Sequence, residues 1–457
     1  MSKTQKSVRE IALEVIYQVL EKGAYTNLTL EKALNASQLL PTDRHLLTEI
    51  VNGTVRQKLY LDWVLQQYLR QSLEKLNPWL KNILRLAVYQ LLLMDKIPTY
   101  AVVNEAVELT RQKTGKGLTG LTNGVLRNIE RNKDKIQIAF NAIADPLEQA
   151  SIKHSLPLFL LNELKAAIPP EDQSAVYDFW NQVPTVWLRV NTLKTNRDAL
   201  QTELLKEGIH TAIDARIPMA LQLKESAMPL AETRPFRRGE FYLQNPASML
   251  ASLALKPKPG EIVYDLCCGV GGKSTHLAEL MQNTGKIIAV ERYAHKLNLL
   301  QHNAERLGII NIEPILGDLE TLSLTKETAD KVLLDVPCSG WGVLNRRADL
   351  RWHQSESMLS DLIGLQSTLL KNAAGLVKPG GVLLYVTCTF RPAENEERIR
   401  SFLESDQRFM LESLAETLDF FPWRETEKIN LERGSLTHYP GLYEMDGMYY
   451  AKLRRMQ

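Results

Sequence analysis

From about residue 240 onward, short apolar runs alternate with helical segments, and most runs end on an acid or lead into a cysteine. The runs lie at 262–267, 286–290, 311–316, 331–335 and 381–387. Helix-period stretches at 273–282, 294–307, 356–377 and 393–404 separate or follow them. Strands covered on both faces read as unbroken apolar runs, and strands alternating with helices build parallel sheets. The pattern predicts a doubly wound, mostly parallel, Rossmann-like α/β domain over 239–457. A last run, Gly447-Met448-Tyr449-Tyr450-Ala451-Lys452-Leu453, predicts an antiparallel edge strand. Open sheets of this kind bind ligands outside the carboxyl ends of their strands, so those ends hold the candidate chemistry.

Two further parts precede this domain. Over residues 1–140 apolar positions recur at helical spacing, first at Val8, Ile11, Ala12, Val15, Ile16, Val19 and Leu20. More helices are expected around 43–58, 60–72, 79–94, 101–113 and 121–131, with breaks at Gly53, Pro78, Pro98 and Gly115-Lys116-Gly117. This is an all-helical bundle. Residues 141–238 read as a small α+β connector, with helices at 156–167 and near 196–207 and a strand at 186–192. A net charge of +2 hides an asymmetry, because residues 1–140 hold 20 Lys and Arg against 13 Asp and Glu. Seven of these bases fall between Arg111 and Lys135. A basic module joined to an acidic one fits a nucleic-acid handle on an enzyme, although a solvated helix face accounts for the same charges.

Several classes are disfavoured. The longest apolar stretch, 84–94, contains Arg85 and Gln90 and is too short to span a bilayer. The first residues lack the apolar core of a signal peptide. Four cysteines, two of them adjacent, form neither a disulfide framework nor a zinc spacing. The expectation is a cytoplasmic monomer with free thiols, no metal and no membrane contact.

Ile262-Val263-Tyr264-Asp265-Leu266-Cys267-Cys268-Gly269-Val270-Gly271-Gly272-Lys273-Ser274 reads as strand, glycine loop and helix. Glycines let a ligand approach the backbone, and the helix N-terminus offers unpaired N–H groups. A Walker loop would need glycine where Cys267 stands, and a dinucleotide fingerprint fits poorly at Ser274. The second strand ends on Glu291, placed to bind ribose hydroxyls, and the third on Gly317-Asp318, where a carboxylate can accept from an adenine amino group. Asp265 either meets a cationic, amine-bearing end of the cofactor or braces the turn. With Asp335, carboxylates follow four successive strands. That suits a sulfonium-and-ammonium ligand, S-adenosylmethionine, better than a pyrophosphate. Helix caps and turn acids would explain each carboxylate singly.

The fourth and fifth strands lead into Asp335-Val336-Pro337-Cys338-Ser339-Gly340 and Thr387-Cys388-Thr389. Two thiols at neighbouring strand ends point to covalent chemistry. Carbon 5 of cytosine is a poor nucleophile until a thiolate adds at carbon 6. The carbon 5 proton and the enzyme thiol must then both leave, which a second polar group serves. Pro337 stiffens the turn that holds Cys338. Spacing does not say which sulfur attacks. Cys267 and Cys268 read as small hydrophobes whose backbones line the loop.

These motifs together resemble the RNA cytosine-5 methyltransferase family. The N-terminal bundle resembles the NusB-like RNA-binding fold through Arg9, Asp43-Arg44, Gly53-Thr54-Val55-Arg56, Ile83-Leu84-Arg85 with Tyr89, Asn104-Glu105-Ala106-Val107 and Asn123-Gly124-Val125-Leu126-Arg127. The chain is similar throughout to bacterial 16S rRNA enzymes of the RsmB/Sun type, further matches being Leu188-Arg189-Val190-Asn191-Thr192, Gly239-Glu240-Phe241-Tyr242-Leu243-Gln244 and Asp446-Gly447. The resemblance implies that Cys388 is the nucleophile and that Cys338 assists product release. It implies donor contacts from Cys267, Cys268, Gly269, Val270, Gly271, Gly272 and Lys273, then Glu291, Asp318 and Asp335, the last of which meets either the donor or the target base. Val270 and Ala348 stand where the family commonly has proline, Cys268 and Gly269 where it has alanine, and Glu291 where aspartate is usual.

Arg346, Arg347, Arg351 and Trp352 follow the Cys338 motif, and arginine beside an aromatic can pair phosphates and stack a base. A target base must be unstacked to reach a thiol, so the expected substrate is single-stranded or flipped 16S rRNA. A tRNA target and a non-catalytic RNA-binding or antitermination scaffold are the alternatives. The paired cysteines and the glycine loop argue against the scaffold.

Overall fold

A computed structural model describes residues 6–457 and separates them into two compact units. One comprises the residues up to Gln182 together with Leu344–Gln354; the other comprises Val183–Val343 and Ser355–Gln457. Of the expected connector, the helix at 156–167 lies in the first unit, while the strands and the helix Arg197–Lys206 lie in the second.

The first unit is helical. Its central helix, Pro78–Leu93, starts where the Asn77 side chain accepts from the amides of Trp79 and Leu80 and proline occupies the first turn. Leu80, Ile83, Leu84, Ala87, Val88 and Leu91 are buried against the helices Val8–Lys22, Pro41–Arg56, Lys58–Tyr68 and Thr99–Thr114. Arg85, midway along, is buried and forks onto Asp62 at 2.6 and 2.8 Å. Gly53 does not break its helix as expected. It lies inside Pro41–Arg56 because Tyr89 crosses there, where a Cβ would fall 1.9 Å from the ring. The helices Pro146–His154, Leu158–Ala167 and Pro170–Asn181 complete the chain up to Gln182.

Residues 344–354 belong to this same unit. Ala348 sits in its core and the Trp352 indole donates to the Val55 carbonyl at 2.8 Å. Arg351 is buried among the carbonyls of Arg56, His154, Ser155 and Trp180, and the Asn181 side chain accepts from it at 3.0 Å. The RNA-facing role expected for Arg351 and Trp352 is therefore corrected: both satisfy buried carbonyls.

The second unit holds two sheets. Strands β1 (Trp187–Val190), β2 (Ile209–Ile213), β3 (Ala220–Ser226) and β4 (Phe241–Leu243) form an antiparallel sheet in the order β2-β3-β1-β4. The larger sheet contains β5 (Ile262–Leu266), β6 (Lys286–Glu291), β7 (Ile312–Leu316), β8 (Ala329–Asp335), β9 (Val377–Thr387), β10 (Phe409–Leu411), β11 (Ser435–His438) and β12 (Met448–Arg455). Its order is β10-β12-β9-β8-β5-β6-β7, with β11 also on β12. The pairs from β7 through β9 are parallel, as the alternating pattern required, and those of β12 are antiparallel. The last strand is not an edge. Both β9 and the short β10 and β11 flank it, and those short partners carry too few apolar residues to announce themselves.

Strand periodicity assigns each side chain to a face. Val263, Leu333, Leu384 and Val386 pack on one side, which includes Leu277 and Ala278 of the helix Gly272–Leu280. Tyr264, Leu266, Val332, Leu334, Leu383 and Tyr385 pack on the other, with Leu369 and Ala373 of Glu356–Ala374. By the same alternation Asp265, Asp335 and Cys388 share the first face, beneath the glycine loop.

Candidate active site

The loop after β5 is bent by backbone that few side chains tolerate. Cys267 has φ +62°, Gly269 +59° and Gly271 +86°. A Cβ at Gly271 would meet Leu300 at 2.6 Å, whereas one at Gly269 would project into open space. The loop is closed by the Cys268 amide donating to the Val290 carbonyl and the Gly271 amide to the Cys268 carbonyl. Cys268 is buried beside Ala289, Leu297 and Leu300. Burial pushes the Cys267 thiol up to about 12 and the Cys268 thiol higher, which favours the protonated form of both. Val270 is exposed, and its carbonyl accepts from Asn303.

The carboxylates are distributed around this loop. Buried Glu291 accepts from the amides of Gly269 and Tyr293, each at 3.0 Å. Asp318 accepts from the Glu320 amide and faces Arg292 at 3.3 Å. Lys273 donates to Asp335 at 2.6 Å. Burial works against the Lys273 ammonium, but Asp335 more than offsets it and raises its pKa. Asp265 accepts from the Ser274 hydroxyl at 2.5 Å, while its Oδ1 is buried without a hydrogen-bond partner among the described residues. Burial raises that carboxyl to about 7. An unpartnered buried oxygen, a glycine opening onto free space and two further acids fit a ligand carrying amine and hydroxyl donors. Asp265, Glu291 and the Cys267–Lys273 backbone are the groups that would hold it.

Across the sheet the two catalytic candidates meet. The sulfurs of Cys338 and Cys388 are 3.2 Å apart, and both residues are partly exposed. The Cys338 thiol is raised well above its ordinary value, first by its hydrogen bond to Cys388 and then by burial.

Polar residues that the sequence did not mark hold these loops. Glu394, fully buried, accepts from the Ser339 amide and from Gln366, each at 2.9 Å, and Gln366 also donates to the Pro337 carbonyl. Thr387 donates to Asn395 at 2.7 Å, and Asn395 returns a bond to the Thr389 carbonyl. The Gly342 amide donates to the Cys388 carbonyl and the Gly447 amide to the Gly342 carbonyl, both at 2.9 Å. A Cβ at Gly342 would fall 1.9 Å from the Gly447 oxygen, so three chain segments interlock at the Cys388 loop. Only the Pro392-Ala393-Glu394-Asn395 run and the glycines could have hinted at this, and neither carries a chemical signature.

A model described as 16S rRNA methyltransferase RsmB/F matches residues 252–454, one of the NusB family matches 6–131, and an RsmF/B-like ferredoxin-like domain matches 156–229. The chain is 34% identical to a probable ribosomal RNA small subunit methyltransferase B of Bacillus subtilis (strain 168), over 100% of both chains. A protein of the same description from Synechocystis sp. is 33% identical over 98% of this chain and 99% of that one. The crystal structure of PH0851 superposes with a TM-score of 0.81 at 28% identity, covering 99% of this chain and 100% of that chain. With its glycine loop, strand-end acids and paired thiols in place, this chain belongs to the ribosomal RNA small subunit methyltransferase B family.

Proposed function

We propose that the protein transfers a methyl group from S-adenosylmethionine to carbon 5 of a cytosine in 16S rRNA, through a covalent cysteine adduct. The single observation that carries this reading is the approach of the Cys338 and Cys388 sulfurs to 3.2 Å at the ends of adjacent parallel strands. The donor supplies an electrophilic methyl carbon when bound. Asp265, Glu291, Asp318 and the Cys267–Lys273 loop bind and orient it, and Lys273 fixes Asp335 at the edge shared with the target base.

Cys388 Sγ, as thiolate, adds to carbon 6 of the flipped cytosine, and the carbon 5–carbon 6 double bond becomes a nucleophilic enamine at carbon 5. Once carbon 5 has taken the methyl group, water at the site takes the carbon 5 proton, the C–H electron pair re-forms the carbon 5–carbon 6 double bond, and the Cys388–carbon 6 bond breaks with the sulfur leaving as thiolate. The Cys338 thiol, 3.2 Å away, donates a hydrogen bond to the departing Cys388 sulfur and so assists its release. Support comes from the family membership and from the 16S rRNA named in the matched model.

The test is to incubate the protein with methyl-labelled donor and 16S rRNA and map the product by bisulfite sequencing. A single cytosine that resists conversion only in the presence of enzyme is the expected outcome. Label on another base, or none, would overturn the reading.

A further inference from the structure

Arg189 lies on β1 of the small sheet, yet its side chain ends beneath the glycine loop. It is fully buried. Its Nη1 donates to the Gly272 carbonyl at 2.7 Å and to the Gln244 side chain, and Nη2 donates to the Thr275 hydroxyl at 3.0 Å. Glu279, one turn further along the same helix, receives the fork at 2.7 and 3.2 Å. The guanidinium lies over the Tyr242 ring at 5.1 Å, and that ring stands 3.3 Å from where a Gly272 Cβ would be. Both Tyr242 and Gln244 come from β4 or its end, so the small sheet forms the floor of the loop.

Burying an ion pair costs more than burying hydrophobic residues of the same volume, so core stability alone does not call for this arrangement. What a guanidinium adds is a rigid set of donors, here spent on the first helical turn after Gly271. What Glu279 adds is neutrality. Without it a fixed positive charge would stand under a loop that faces a cationic ligand.

We propose that Arg189 is a positioning residue for the methyl donor, fixing the glycine loop through Gly272 and Thr275, and that Glu279 screens its charge from the sulfonium. The proposal rests on Gly269–Lys273 being the donor loop, and the test separates the two. Titration calorimetry on the full chain would measure binding of S-adenosylmethionine and of S-adenosylhomocysteine, which lacks the sulfonium charge.

Arg189→Lys keeps the charge but not the fork, and should weaken both ligands about tenfold, leaving kcat at saturating donor within about threefold. Glu279→Gln should weaken S-adenosylmethionine more than S-adenosylhomocysteine, a difference that a purely structural role would not produce. Thr275→Val keeps the shape and removes the hydroxyl that accepts from Arg189 and donates to the Gly271 carbonyl, so it serves if Arg189→Lys fails to fold; it too should weaken both ligands. Affinities within about twofold of the unsubstituted protein in the folded variants, or equal losses for both ligands in Glu279→Gln, would overturn the proposal. Failure of the unsubstituted protein to bind either ligand would instead overturn the donor-loop reading.

Discussion

At the scale of single residues, the proposed chemistry gives the two sulfurs, 3.2 Å apart, different roles. Cys388→Ala should abolish methyl transfer while donor affinity stays near that of the unsubstituted protein, as calorimetry would show. Cys338→Ala should still form the adduct but not resolve it, so a protein–RNA band that survives denaturant should accumulate on gels. Asp265 makes a second, separate prediction. Its folded pKa of about 7 lies above the ordinary carboxyl value, so the empty site holds a proton in slightly acid solution. An ammonium group brought to the unpartnered Oδ1 favours the carboxylate. Donor binding at pH 6 should therefore release about one proton and at pH 8.5 almost none, read from binding heats in buffers of different ionisation enthalpy. Asp265→Asn should release none. The cysteines and acids were legible because each ends an apolar run, and strand ends are where such sheets gather chemistry. Arg351 and Trp352 were misread for the opposite reason: composition alone cannot tell a side chain that meets phosphate from one that meets buried carbonyls.

At the scale of elements, the nucleophile loop depends on backbone contact rather than side chains. Gly342→Ala would drive a methyl group into the Gly447 carbonyl and crowd the Cys388 carbonyl at 2.9 Å. The expected result is a loss of about 2 kcal/mol in urea unfolding together with a fall in kcat of about 100-fold, because Cys388 must move. β12 shows why sheet position was harder to read than strand existence. Its apolar run is plain in the sequence, but its neighbours β10 and β11 are three and four residues long. The same strand group stores a pH response. His438 is buried against Tyr450, and burial lowers its pKa to about 3. The unfolded ring takes up a proton near 6.5, so the stability held here is complete above that pH and is lost as pH falls toward 3. Lowering pH from 6.5 to 5 should cost the unfolding free energy about 2 kcal/mol from this site. His438→Phe should remove that share of the decline in urea titrations at the two pH values.

At the scale of the molecule, the chain passes more than once between its two compact units. The chain leaves the helical unit after Gln182, re-enters it at Leu344 and leaves again after Gln354. Only three residues separate Gly340 of the Cys338 motif from the first residue of this eleven-residue segment. Family likeness made the helical part and the sheet part recognisable, but nothing in an Arg- and Trp-containing loop announces that it is core for the other unit. Arg351→Ala in the full chain should lower the unfolding free energy by about 3 kcal/mol, since it strips donors from several buried carbonyls. A fragment beginning at Val183 should be produced largely insoluble, with Ala348, Arg351 and Trp352 deprived of their surroundings; a soluble, melting fragment would count against this. The eleven-residue excursion also bears on how such a protein can be re-engineered or inherited. A helical module traded in from another source would have to bring its own version of 344–354, from more than 160 residues downstream, or it would arrive with a hole where that segment belongs.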